Sequence, residues 1–165
     1  MRQAAWGTVL FFFLAPATVG GLVPWLLAGE HHPAGPVAVA AGVLLVVVGL
    51  AVLVACFVRF VREGGGTPAP VAPTRELVVG GVYRFVRNPM YLAVGAVIAG
   101  QALMFASLAV LVWLGVFALA VVAFVVGYEQ PTLRYTYGSS YDAYCEAVPA
   151  WWPRLTPWRG AASSR

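Results

Sequence analysis

The residues able to do chemistry fall into two short stretches of this 165-residue chain. The first is Gly81-Val82-Tyr83-Arg84-Phe85-Val86-Arg87-Asn88-Pro89-Met90-Tyr91, which sets two Arg, two Tyr, one Asn and one Pro beside an apolar run. Pro89 suits the first turn of a helix, where a missing N–H costs no hydrogen bond. Asn88 then occupies the N-cap, a position that favours Asn. The free N–H groups of such a helix start, with its dipole, can hold a polar or anionic group. Arg and Tyr also flank membrane spans as plain interfacial anchors. The second stretch is Glu129-Gln130, which closes the same apolar run. A carboxylate at a membrane edge is costly unless paired or solvated. A salt bridge from Arg84 or Arg87 would satisfy it, and so would a cationic ligand.

Other candidates carry less. His31-His32 stand together without further ligands, so no metal site is expected. Cys56 reads as a small core residue, and neither it nor Cys145 has an evident activating His. Gly95 and Gly100 read as points of close helix packing. There is no Walker loop, dinucleotide glycine fingerprint or zinc spacing.

The elements that must position these residues follow from composition. Hydrophobic residues make up 61% of the chain and charged ones 10%. Soluble domains carry about 25% charged residues, so this chain cannot coat a water-soluble globule and is read as an all-α integral membrane protein. The same figures exclude intrinsic disorder, and two Cys exclude a disulfide framework. Ala4–Ala28, Val37–Val58 and Tyr91–Tyr128 are uncharged runs of 25, 22 and 38 residues. A bilayer core takes roughly 20 helical residues, so the first two runs are one span each. The third would reach about 57 Å as one helix, nearly twice the core, and is expected to fold as a hairpin. Its turn is placed at Phe105-Ala106-Ser107, near the far interface or buried in protein. Four transmembrane helices result. The hairpin brings Tyr91 and Glu129 to one depth, side by side.

All ten basic residues are Arg, and their distribution sets the orientation. The 29–36 loop holds Glu30, His31 and His32 but no Arg, whereas the 59–88 loop holds Arg59, Arg62, Arg75, Arg84 and Arg87. Arg2 precedes the first span, and Arg134, Arg154, Arg159 and Arg165 follow the last. The positive-inside rule puts both termini and the 59–88 loop in the cytoplasm. Cleavage as a signal peptide after Ala15-Pro16-Ala17 is disfavoured because the apolar stretch runs on to Ala28.

The chain reads as one domain. Residues 1–62 supply two spans, 63–76 a Gly/Pro-rich cytoplasmic linker, 77–155 the hairpin with both polar stretches, and 156–165 a tail. Pro131 can kink or restart the helix, and Gly138 breaks it. Ser139 and Asp142 have capping-box spacing for a short amphipathic helix ending before Pro149. Its apolar face is Tyr137, Tyr141, Tyr144 and Val148. With Trp151, Trp152 and Trp158, this region is expected to lie on the cytoplasmic membrane surface and lid the helix ends.

These motifs resemble a known family. Gly81-x-Tyr83-Arg84-x-x-Arg87-Asn88-Pro89-x-Tyr91-x-x-x-Gly95 is similar to the first signature of the isoprenylcysteine carboxyl methyltransferases. Glu129-Gln130-Pro131-x-Leu133, Tyr137-Gly138-x-x-Tyr141-x-x-Tyr144 and Val148-Pro149 to Pro153 resemble that family's ending. The likeness covers about residues 77–155 and points to a compact bacterial member, related more distantly to phospholipid N-methyltransferases, which implies a bacterial-type inner membrane. It implies S-adenosylmethionine as methyl donor, bound at the cytoplasmic helix ends, and a small lipophilic or membrane-embedded acceptor. No nucleic-acid partner is implied. Carried over by position, Tyr83, Arg87, Asn88, Pro89, Met90 and Tyr91 line the cofactor pocket, and Glu129 with Gln130 holds the cofactor's polar end. Asn88 replaces the family's His and Gln130 its second Glu. Asn still offers a donor and an acceptor. Val125 stands where the eukaryotic enzymes carry a substrate-binding Arg, so a prenylcysteine carboxylate is not supported as acceptor. Two rivals remain: an NADPH-dependent reductase of the sterol-reductase type, and a non-catalytic membrane protein that kept the fold.

Overall fold

The computed structural model describes residues 13–29, 33–60, 62 and 77–160. The expectations for Arg2 and the start of the first run, for Glu30, His31 and His32, for the linker with Arg75, and for Arg165 lie outside those residues. Every regular element among the described residues is helical.

A π-helical stretch, Phe13–Leu22, runs into α1, Val23–Leu27. Pro36 opens α2, Pro36–Arg59, a helix apolar on all sides. Further along the chain, a 3-10 turn at Gly81–Arg84 leads to α3, Pro89–Met104. α4, Leu108–Phe124, returns beside it. The expected turn is present at Phe105–Ser107, with Ala106 at φ 46°. Its backbone is satisfied internally, as a non-aqueous setting demands. Ser107 N–H donates to Ala102 O at 3.1 Å, and Ala34 N–H donates to Met104 O at 2.8 Å. The Ser107 hydroxyl caps α4 by accepting from Val110 N–H.

α2 and α3 form the central pair, and glycine lets them touch. A Cβ on Gly42 would stand 2.5 Å from Gly100 O, and one on Gly100 2.5 Å from Gly42 O. One turn-pair further along, a Cβ on Gly49 would meet Ala93 O at 2.7 Å. Small residues seven apart on both helices therefore bring the backbones together, where dispersion rather than water release drives packing. Gly95 has no such role, since a Cβ there meets only the Phe117 and Leu114 side chains, at an ordinary 3.8 and 3.9 Å.

Past Phe124 the helix does not stop at Pro131. A π-turn, Val125–Glu129, leads directly into α5, Gln130–Tyr137, so one rod spans Leu108–Tyr137. Gln130 N–H reaches back five residues to Val125 O, and the widened turn absorbs the N–H that Pro131 lacks. Gly138, at φ 53°, then ends α5 and also caps α6, Ser139–Ala147. The expected Ser139–Asp142 capping box does not form; Asp142 instead accepts from Arg134 Nε at 2.8 Å.

Two helices, Pro36–Arg59 and Leu108–Tyr137, are long and apolar enough to cross a membrane, and two shorter apolar ones, Pro16–Leu27 and Pro89–Met104, accompany them. Their outer faces expose Leu44, Val47, Leu111, Val112 and Leu119. A continuous apolar exterior of this kind suits lipid, not water.

A candidate binding cavity at the helix ends

Beyond the helices the chain folds back on itself. Arg87 N–H donates to Pro149 O, Arg154 N–H to Phe85 O, and Trp158 N–H to Arg84 O, each at 2.9 Å. Arg84 Nε donates to Trp158 O at 2.5 Å. The tail is thus stitched to the segment before α3. Tyr141, Tyr144 and Val148, the expected amphipathic face, are buried against Leu77, Val79, Leu133 and Trp158. That face is covered by the protein itself. Tyr144 Oη donates to Tyr83 O at 2.7 Å, tying α6 to the 3-10 turn.

These elements and the rod enclose a cavity of about 540 Å³, within the usual range for small-molecule sites of about 300–1,000 Å³. Tyr83, Arg87, Asn88, Tyr91, Glu129 and Gln130 all line it. Pro89 and Met90 do not: Pro89 is buried at the start of α3, and Met90 packs against the apolar clusters around Leu53 and Cys56. Asn88 is at the N-cap, but its side chain makes no capping bond. Its Nδ2 donates to Ala150 O at 3.1 Å, because the returning tail offers a carbonyl there.

The hairpin sets Tyr91 and Glu129 side by side, and Tyr91 Oη donates to Glu129 Oε2 at 2.8 Å. Glu129 is the last residue of the π-turn. Neither Arg84 nor Arg87 pairs with Glu129. Arg84 is held by Trp158 O, and Arg87 Nη1 donates to Cys145 Sγ at 2.7 Å. Arg87 Nε is buried and has no hydrogen-bond partner among the described residues. The polar end therefore presents a carboxylate and a guanidinium that do not neutralise each other.

Burial, with Cys56 beside it, pushes the Tyr83 phenol well above the ordinary tyrosine range. Burial and the adjoining Cys145 push Tyr141 up to about 12, and burial also raises Tyr144. These phenols stay neutral and act only as hydroxyl donors and acceptors.

The other end of the cavity is apolar. Trp113, Val116, Phe117, Ala120, Val121 and Phe124 form one stripe of the rod, continued by Tyr128, Thr132 and Thr136. Sequence reasoning missed this wall. Its spacing of three and four is present, but a run apolar on every side does not reveal which stripe faces inward. The Thr132 and Thr136 hydroxyls are spent on the carbonyls of Tyr128 and Thr132, both at 2.8 Å, so they add little polarity.

Residues 37–140 match the model of a family described as phospholipid methyltransferase, and this stretch covers both sides of the cavity. No curated protein and no solved structure gives a match.

Proposed function

The chain belongs to the phospholipid methyltransferase family, and from that membership we propose that it transfers a methyl group from S-adenosylmethionine to a lipophilic acceptor held in the membrane. One observation carries the reading: a single cavity joins an unneutralised Arg87–Glu129 end to an apolar wall along the rod. The cofactor is zwitterionic at its amino-acid end and cationic at sulfur, so this donor set fits it. Glu129 would hold its cationic or hydroxyl groups. Arg87, with a free Nε–H, would hold its carboxylate. Tyr83, Asn88, Tyr91 and Gln130 would complete the polar wall.

S-adenosylmethionine supplies an electrophilic methyl group on a sulfonium. The protein's own part is positional. Tyr91 fixes the Glu129 carboxylate in one orientation, and orienting donor and acceptor is the main source of rate in such a displacement. The apolar stripe from Trp113 to Phe124 excludes water and accepts the hydrocarbon part of the acceptor. With an anionic acceptor, charge is neutralised in the transition state and a dry site favours the reaction. With an amine acceptor, the Glu129 carboxylate would take its proton, with the Tyr91 hydroxyl as a hydrogen-bond partner of that carboxylate. The isoprenylcysteine-type signature at 81–95 belongs to the same reading, as do four spans with both termini cytoplasmic. The start of α3 and the segment before it then lie at the cytoplasmic face.

The test is S-adenosylmethionine binding to the full chain in detergent by calorimetry, beside Glu129→Ala. Binding that vanishes in the variant while its thermal unfolding is unchanged supports the site. Unchanged binding refutes it. Transfer of labelled methyl into a membrane lipid extract then identifies the acceptor.

A further inference from the structure

The tail beyond α6 presents apolar side chains that nothing in the cavity uses. Trp152 is 82% exposed and Leu155 is 99% exposed. Their neighbours turn inward: Trp158 stacks on Tyr144 with ring centroids 5.4 Å apart, and Arg154 Nη1 donates to Ala147 O at 2.6 Å. Pro153 and Pro157 keep the segment from becoming helical. Trp152 and Leu155 are therefore projected from a pinned loop.

The depth of that loop follows from α3. Asn88, the N-cap of α3, donates to Ala150 O, two residues from Trp152. A helix of 16 residues rises about 24 Å, less than the hydrocarbon thickness of about 30 Å. Asn88 cannot then stand clear of the headgroups, and neither can Ala150 beside it. Trp is enriched at that level because its ring is apolar and its N–H polar.

Charge selects the kind of surface. At this end the described residues include Arg59, Arg62, Arg84, Arg87, Arg134, Arg154 and Arg159 against Glu129, Asp142 and Glu146. Asp142 is consumed by Arg134, and Glu129 faces the cavity. Arg62 and Arg159 are exposed. The remaining field is positive, and arginines beside a membrane are drawn to anionic headgroups.

We infer that the loop Trp151–Arg159 is a docking element for anionic lipid, with Trp152 and Leu155 seated among the headgroups and Arg159 on their phosphates. The loop is hydrogen-bonded to Arg84 and Phe85, so lipid contact also steadies the segment that lines the cavity. The inference does not depend on which reaction the cavity performs.

The full chain is reconstituted in phosphatidylcholine vesicles with or without one quarter phosphatidylglycerol. The signal of Trp152 is read as the difference between the wild type and Trp152→Phe. In the anionic vesicles this signal should be quenched by lipids brominated near the headgroup. Its acrylamide quenching should fall about three-fold or more below that of free tryptophan amide, as expected for an interfacial ring. Shielding should weaken without phosphatidylglycerol and in Arg159→Gln. Acrylamide quenching as strong as in free tryptophan amide, with no bromine effect, overturns the docking. Equal shielding in both lipids overturns the anionic preference.

Discussion

Removing one oxygen from Tyr91 tests whether the two halves of the cavity act together. Tyr91→Phe deletes the 2.8 Å hydrogen bond to Glu129 Oε2 and leaves ring packing in place. A hydrogen bond to a charged group contributes about 1.5–3 kcal/mol. Glu129 is half-buried, so water replaces part of that loss and the lower half of the range applies. At about 1.4 kcal/mol per decade, the Kd for S-adenosylmethionine should rise about 10- to 30-fold. The effect comes from releasing the carboxylate, since Tyr91 itself carries no charge. Calorimetry in detergent measures it, with a thermal unfolding scan to show that the variant is folded. Glu129→Ala, which removes the carboxylate, should lose binding altogether. A folded Tyr91→Phe protein with a Kd within about two-fold of wild type would refute the reasoning, because positioning of Glu129 is then independent of the bond.

Further predictions concern the frame that holds the cavity. Gly100→Val should destabilise the protein by about 1–3 kcal/mol or more, because its Cβ meets Gly42 O at 2.5 Å. Gly95→Ala should be neutral or stabilising by up to about 1 kcal/mol through helix propensity, since its Cβ has ordinary space; thermal scans of both in one detergent make the comparison. Gly138→Ala, at φ 53° and ψ −130°, should cost about 1–3 kcal/mol and loosen α6, seen as faster hydrogen exchange over residues 139–147. Tyr144→Phe removes the 2.7 Å bond to Tyr83 O, should cost about 1 kcal/mol, and should raise exchange at Gly81–Phe85.

Much of this protein was legible in its residues. The excess of apolar side chains over charges dictates helices whose backbone is satisfied internally, and α2 realises the Val37–Val58 run almost residue for residue. The 38-residue run from Tyr91 is too long for one crossing, so its length demands a hairpin, and the structure places the turn at Phe105–Ser107, the best candidate although no Pro or Gly marks it. Once the hairpin is drawn, Tyr91 and Glu129 must meet. The family match over 37–140 agrees with the motifs read at 81–95 and 129–131.

Tertiary structure decided the rest. An apolar helix carries no sign of which stripe faces inward, so the wall from Trp113 to Phe124 emerges only when α3 and the tail are in place. Pro131 signals a break by its lost N–H, yet a π-turn satisfies the backbone over a longer reach and keeps the rod whole. The Ser139–Asp142 pair has capping-box spacing, but Arg134 lies within reach of Asp142 and competes for it. Asn88 is a capping residue by type, and Ala150 O draws its amide away. Arg84 and Arg87 were natural partners for Glu129 by charge; carbonyl and sulfur acceptors 58 to 74 residues further along took their donors. In each case the local preference is worth only about 1 kcal/mol. Long-range partners of equal or greater strength outweigh it, and a sequence does not display them until the chain has closed on itself.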